Sequence, residues 1–422
     1  PRRRPDGDPS MFKAAVMIFT VTGLLSGNLL QEAIDRAEAG SKLELPAGEY
    51  HGNIVIDKPL IIEGKSQGAK IIGDGNGTVV TIRSDYVTLK NLTILHSGKE
   101  HERVDAAVSI KKAKHVTIDR CRIDDCLFGI DMEQVSESQI TRNWIRSKPF
   151  SLGLRGDAVR LWYSNDNNVS ANHITHSRDM VVWYSHGNVI ADNFGEYSRY
   201  SLHFMYAGRN EVLHNTYEHN SVGIFFMYSQ DSIAVGNTVK SSIGTTGLGI
   251  GLKDCSNFTL RDNTMIYCAR GLYIDRSPFQ PDQNNTIEGN RIVYNSIGIN
   301  FHSLSINNYI HGNVFKGNIE NVYDDDQVTL HSVKNRWDGN YWDDYEGFDK
   351  DGDGIGDTPY RLYYYADRMW MANPNIKFFY ASPVVSILNF LAKLAPLSQP
   401  IMLLEDPHPV MYEKELEKGG AQ

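Results

Sequence analysis

Short runs in which apolar and polar residues alternate cover most of this chain, and Gly, Asn, Asp or Ser breaks each run before a helical period can develop. Such alternation predicts short β-strands. The runs also recur. Gln139-Ile140-Thr141-Arg142-Asn143-Trp144-Ile145 is echoed by Asn168-Val169-Ser170-Ala171-Asn172-His173-Ile174, and later by Thr259-Leu260-Arg261-Asp262-Asn263-Thr264-Met265. The asparagines that end these phrases stand at 143, 172, 193, 215, 237, 263, 290, 313 and 335. Subtraction gives spacings of 29, 21, 22, 22, 26, 27, 23 and 22, a repeat near 22 residues with occasional insertions. A unit of this length supplies three short strands and three turns, one coil of a right-handed parallel β-helix, so the fold class expected is all-β. One coil cannot bury its inner face alone, and coils stack at about 4.8 Å to form a continuous core. Leucine-rich repeats have similar length, but their leucine framework is absent. The recurring Asn is expected to bend the turn into the left-handed region, with its amide bonding from coil to coil.

Alternation also assigns faces. In successive coils Ile130, Val159, Met180, Leu202, Ile224 and Ile250 fall in one inward column, and Met132, Leu161, Val182, Phe204, Phe226 and Leu252 in the next. The columns between them are expected to face solvent. One carries Glu133, Trp162, Trp183, Met205, Met227 and Lys253; the other carries Asp131, Arg160, Val181, His203, Phe225 and Gly251. Tyr163, Tyr184, Tyr206 and Tyr228 follow at the turn. Trp162, Trp183 and Phe225 thus mark an apolar patch of the kind that binds partners.

The flanking stretches differ in texture. Residues 1–27 hold a polar Arg-rich extension, then Met11-Phe12-Lys13 and the apolar run from Ala14 to Leu25, which is signal-like and too short to span a bilayer. The β-helix is expected over 28–335, opened by an amphipathic helix from Leu29 to Ala39 that caps its end. A C-terminal cap follows over 336–380. There Asp349, Asp351, Asp353 and Asp357 have the carboxylate spacing of a calcium loop, although Tyr360 stands where a bidentate Glu is expected. Residues 381–422 hold a second amphipathic stretch, with Val384, Ile387, Leu388, Phe390, Leu391 and Leu394 apolar, too short to cross a membrane but suited to docking on a membrane partner.

The net charge of −9 gives no electrostatic footprint for nucleic acid. Cys121 and Cys126 share one coil, Cys255 and Cys268 lie five or six coils on, and buried free thiols are expected. His203 and Met205 alternate on one strand face with Met227 one coil away, and thioether with imidazole is a soft donor set that suits copper(I). The competing reading is a polysaccharide-acting β-helix: an epimerase, lyase or hydrolase. Its chemistry needs converging carboxylates, and Asp131, Glu133 and Asp157 border the apolar patch without forming a tight pair. Gly64-Lys65-Ser66 lacks the earlier glycine of a phosphate loop, so ATP use is expected only in a partner.

Taken together, Leu202-His203-Phe204-Met205-Tyr206-Ala207-Gly208-Arg209-Asn210, Gly223-Ile224-Phe225-Phe226-Met227-Tyr228-Ser229, and Gly339-Asn340-Tyr341-Trp342-Asp343-Asp344-Tyr345 running into Asp351-Gly352-Asp353-Gly354-Ile355-Gly356-Asp357 resemble the NosD family. These are periplasmic β-helix proteins that help to assemble the copper sites of nitrous oxide reductase. The resemblance covers roughly Leu29 to the tail. It implies a non-catalytic accessory protein that receives copper from a lipoprotein chaperone and passes it to the reductase. It also implies docking on the permease of an ABC transporter through the C-terminal helix, with the ATPase in another subunit. His203, Met205 and Met227 are the copper ligands carried over.

Overall fold

The computed structural model describes residues 16–18, 29–326, 330–364 and 401–413, with residues 379, 382–384, 387, 390 and 391 between the last two stretches. The chain divides into two compact units, Pro1–Ser221 and Val222–Gln422. The division falls inside the repeats, where the spacing of the asparagines gives no sign of it. In a solenoid each coil touches only its neighbours, so a boundary between coils leaves no trace in the repeat itself.

The first unit is a parallel β-solenoid whose coils each lay one strand on three faces. A representative coil runs Asp179–Trp183 on face 1, Val189–Ala191 on face 2 and Phe194–Glu196 on face 3 before returning to face 1 at Tyr200–Met205. Register follows the alternation. Ile130 pairs with Val159 and Val159 with Met180, while Met132, Leu161, Val182 and Phe204 follow one another in the next column. All seven are fully buried, as is Leu202. One glycine is required by packing: a Cβ on Gly195 would stand 2.8 Å from the ring of buried Tyr217, so the small residue in one coil leaves room for the large one in the next.

The asparagines do more than turn the chain. The residue in the left-handed region is the one before each of them, Arg142, Ala171, Asp192 and His214, with φ of 56°, 56°, 55° and 54°. The asparagine itself folds its side chain inward. Asn172 Oδ1 accepts from the backbone N–H and Nδ2 of Asn143, Asn193 does the same for Asn172, and Asn215 for Asn193. Each Nδ2 also donates to a carbonyl of an earlier coil, as from Asn193 to Val169 at 2.9 Å. The amides of these corner asparagines, which are buried, are therefore paired.

Helix Leu29–Arg36 buries Leu30, Ala33 and Ile34 against the first coils, and Lys58 Nζ closes its end by donating to the carbonyls of Asp35 and Ala37. It is shorter than the sequence suggested. Within the signal-like run, Val16–Ile18 forms a strand paired in parallel with Lys42–Glu44; the rest of 1–27 lies outside the described residues.

The second unit repeats the design. Ile224, Ile250, Leu272 and Ile299 form one buried column, and Phe226, Leu252, Ile274 and Phe301 the next. Its amide ladder runs Asn237, Asn263, Asn290, Asn313 and Asn340. Asn340 has no further coil to donate to. Asp406 takes that place: its carboxylate accepts from the N–H and Nδ2 of Asn340, from Trp342 Nε1, and from the N–H groups of Gly339 and His408. Phe315, Trp342 and Tyr360 stack at 4.2 and 4.4 Å as the last core layer. The Gly339-to-Tyr345 signature is thus the end cap of the solenoid.

Asp406 lies on Ile401–Asp406, which pairs antiparallel with Tyr360–Tyr364, and Tyr364 stands opposite Ile401. The C-terminal amphipathic stretch is therefore an excursion held at both ends, not a free tail. Within it Val384, Ile387, Phe390 and Leu391 are helical, and 67, 57, 61 and 52% exposed. Leu388 and Leu394 lie outside the described side chains. The four free cysteines are buried as expected.

Candidate metal centre

On face 1 of the first unit the outward residues are those that alternation selects, but they are not all open to water. His203 is 7% exposed, and Val181 and Asp131 are buried. Met205, Trp162 and Trp183 are half-buried. The register was legible; the cover was not, because it comes from side chains of the same and adjacent coils. Tyr200 stacks on the His203 imidazole at 4.7 Å and 19°, and Trp183 meets it edge-on at 5.9 Å and 90°. Trp183 is also the register partner of Met205.

This enclosure sets the charge state. Burial pushes the His203 imidazole down to about 4, against a weaker upward pull from Asp179. His203 is neutral at physiological pH and retains a nitrogen lone pair, as a metal ligand must. Met205 presents its thioether on the same strand face two residues on. Met227 belongs to the second unit, half-buried at the end of Val222–Met227.

The expected patch is smaller than its composition suggests. Trp162 packs edge-on against Trp183 at 5.8 Å, under the Arg160 guanidinium at 4.8 Å. Phe225, in the second unit, is buried; its ring lies over Gly251, where any Cβ would stand 2.1 Å from it. Phe225 is thus packing, not an exposed contact. Tyr163, Tyr184 and Tyr206 stack face to face at 4.9 and 5.2 Å. Both faces of the Tyr184 ring are covered in this stack, as is one face each of Tyr163 and Tyr206.

The carboxylates beside this face are occupied by basic groups. Asp131 accepts from Arg160 at 2.8 Å and from Ser109 at 3.2 Å, Asp157 is held in two bonds by Arg178 at 3.0 and 3.1 Å, and Glu133 pairs with Lys111 at 3.4 Å. Burial pushes Asp157 up to about 7 even with Arg178 against it. Asp179 is clamped in the same manner by Arg199.

In the second unit, ligand oxygens of Asp349, Asp351 and Asp353 lie within 4.8 Å of one another. Asp349 accepts from the N–H groups of Gly352, Asp353 and Gly354, and these donors, the Gly354 N–H foremost, hold its carboxyl below the ordinary range. Asp357 stands apart and accepts from the Lys350 N–H at 2.6 Å. Tyr360 is buried and donates to Asp344. The loop therefore gathers three of the four predicted carboxylates.

A family model described as periplasmic copper-binding protein (NosD) matches residues 141–347. A probable ABC transporter binding protein NosD from Pseudomonas aeruginosa is 30% identical over 411 residues, 89% of this chain and 89% of that protein. Its counterpart from Stutzerimonas stutzeri is 29% identical over 408 residues, 88% and 87% of the two chains. Among solved structures, the A-module of the mannuronan C-5 epimerase AlgE6 from Azotobacter vinelandii has a TM-score of 0.53 at 14% identity, covering 70% of this chain and 90% of its own. The catalytic unit of an α-1,3-glucanase from Streptomyces thermodiastaticus has a TM-score of 0.54 at 11% identity, covering 76% and 67%. At such identities the likeness to sugar-active enzymes is one of fold alone. On the extent of its identity to the Pseudomonas aeruginosa protein, the chain belongs to the NosD family.

Proposed function

We propose that this protein is a non-catalytic periplasmic carrier that accepts copper(I) from a lipoprotein chaperone and delivers it to nitrous oxide reductase while docked on an ABC transporter. The observation that carries the reading is the pairing of His203, held neutral by its surroundings, with the Met205 thioether on one face of the first unit. Borderline nitrogen beside soft sulfur favours copper(I) over zinc or calcium, and the nearby Asp179 carboxylate is engaged by Arg199. The copper-binding description of the family and the transporter-binding names of the relatives support the same reading. The carboxylates that a sugar-acting enzyme would use are engaged by Arg160, Arg178 and Lys111. That favours the carrier over the enzyme.

Titration of the purified protein with copper(I) against a chromophoric chelator tests this. His203→Ala with Met205→Ala is expected to weaken binding by at least about tenfold, as loss of two donors implies. Met227→Leu, measured separately, tests the third predicted ligand. Equal binding by wild type and the double variant would refute the assignment.

The Asp349, Asp351 and Asp353 loop is read as a structural calcium site that stiffens the cap. Calcium is expected to raise the melting temperature of the wild type and not of Asp351→Asn, with an unchanged wild type excluding it.

A further inference from the structure

The coil that carries His203 departs from its neighbours in one respect. Asp179 pairs with Tyr200 and Val181 with His203, so two steps along one strand face three along the next. The extra residue is a β-bulge at Ser201–Leu202, and it accounts for the change of the repeat from 21 residues to 22 between Asn193 and Asn215. In a regular strand, residues three apart point to opposite faces. The bulge puts Tyr200 and His203 on the same face, close enough for their rings to stack at 4.7 Å. Bulges commonly re-aim a side chain in this way.

Tyr200 is itself held. Its backbone N–H donates to Asp179 Oδ1 at 3.1 Å, and the Arg199 guanidinium, clamped on both oxygens of Asp179, lies 5.2 Å from its ring centroid. Asp179 is buried. A buried carboxylate thus fixes an arginine and a tyrosine, and the tyrosine fixes the imidazole.

We propose that Tyr200, locked by the Asp179–Arg199 clamp and brought onto His203 by the bulge, is the positioning residue that presents the His203 imidazole to copper(I) beside Met205. Tyr200 is no ligand. Its role is to hold the ring edge-on to Trp183 so that no rotamer is lost when the metal arrives. The inference rests on the copper reading above.

Copper(I) affinity is measured for wild type, Tyr200→Phe, Tyr200→Leu and Arg199→Gln, with X-ray absorption on each copper-loaded sample. Tyr200→Phe keeps the stack and is expected to bind within about twofold of wild type. Tyr200→Leu is expected to lose about 10- to 100-fold, the range for groups that orient a ligand, and to lose imidazole scattering while retaining the sulfur shell. A purely structural role for the ring would lower stability without removing nitrogen from the copper shell. Arg199→Gln loosens the clamp from its exposed side and gives the same readout if Tyr200→Leu does not fold. Unchanged affinity and imidazole scattering in Tyr200→Leu, or in Arg199→Gln where it substitutes, would overturn this inference and leave the carrier reading standing. A wild type that binds no copper(I) would overturn both.

Discussion

At the scale of single residues, His203 shows how a side chain can lie on the outer face of a strand and still be taken out of water. The consequence is a pH dependence that can be measured. Its imidazole is held near 4, below the ordinary value of 6.5, so between those values the unfolded chain binds more protons than the folded one. The stabilising contribution is complete above about pH 6.5 and is lost as pH falls through about 4, for at most about 3 kcal/mol. Asp157, pushed up to about 7, acts in the opposite sense: its contribution is greatest at low pH and falls as pH rises toward 7. Metal-free His203→Gln is therefore expected to become less stable as pH rises from 4 to 7, with the wild type flatter. Melting temperatures across that range check it, and parallel curves for the two proteins would contradict the assignment. The identity of these residues and their outward register were plain from alternation. The enclosure of His203 was not, because it needs the rings of Tyr200 and Trp183 in place.

At the scale of elements, the amide ladder is the device that turns a repeated Asn into a rigid corner. Its weak point is its end, where the last amide must find an acceptor that is not another coil. Asp406 provides one from the far side of a long excursion, receiving five donors. Asp406→Ala leaves those donors unpaired in a buried place, and is expected to destabilise the second unit by roughly 3 to 5 kcal/mol. Urea denaturation should show it, and hydrogen exchange should locate the lost protection at Asn340 and Trp342. An unaltered midpoint would mean that water substitutes for the carboxylate. No sequence pattern marks Asp406, since four of its five donors come from residues 64 to 67 positions away. By contrast, the 21-to-22 change in spacing was visible in the chain, and only its resolution into a bulge at Ser201–Leu202 required coordinates.

At the scale of the whole molecule, each unit carries its own core, and the second also carries the excursion between Tyr364 and Ile401. The antiparallel pair Tyr360–Tyr364 with Ile401–Asp406 fixes both ends of that excursion to the solenoid cap. Among the described residues no helix is long and apolar enough to cross a membrane. Ile387→Asp with Phe390→Asp is expected to abolish co-purification of the permease and ATPase from membranes while copper(I) affinity is unchanged. Retention of the complex by that variant would remove the helix from the interface.

The sequence alone determined that this is a β-solenoid, which residues fill its core and that it resembles the NosD family. All of these follow from local period and local motif, and a parallel stack propagates a local rule from coil to coil. Tertiary structure alone decided which outward residues remain open to water, that Phe225 is packing, that Tyr200 reaches His203, and that Asp406 closes the ladder. Each of those depends on side chains brought together across coils or across an excursion, and a repeat read along the chain carries no record of them.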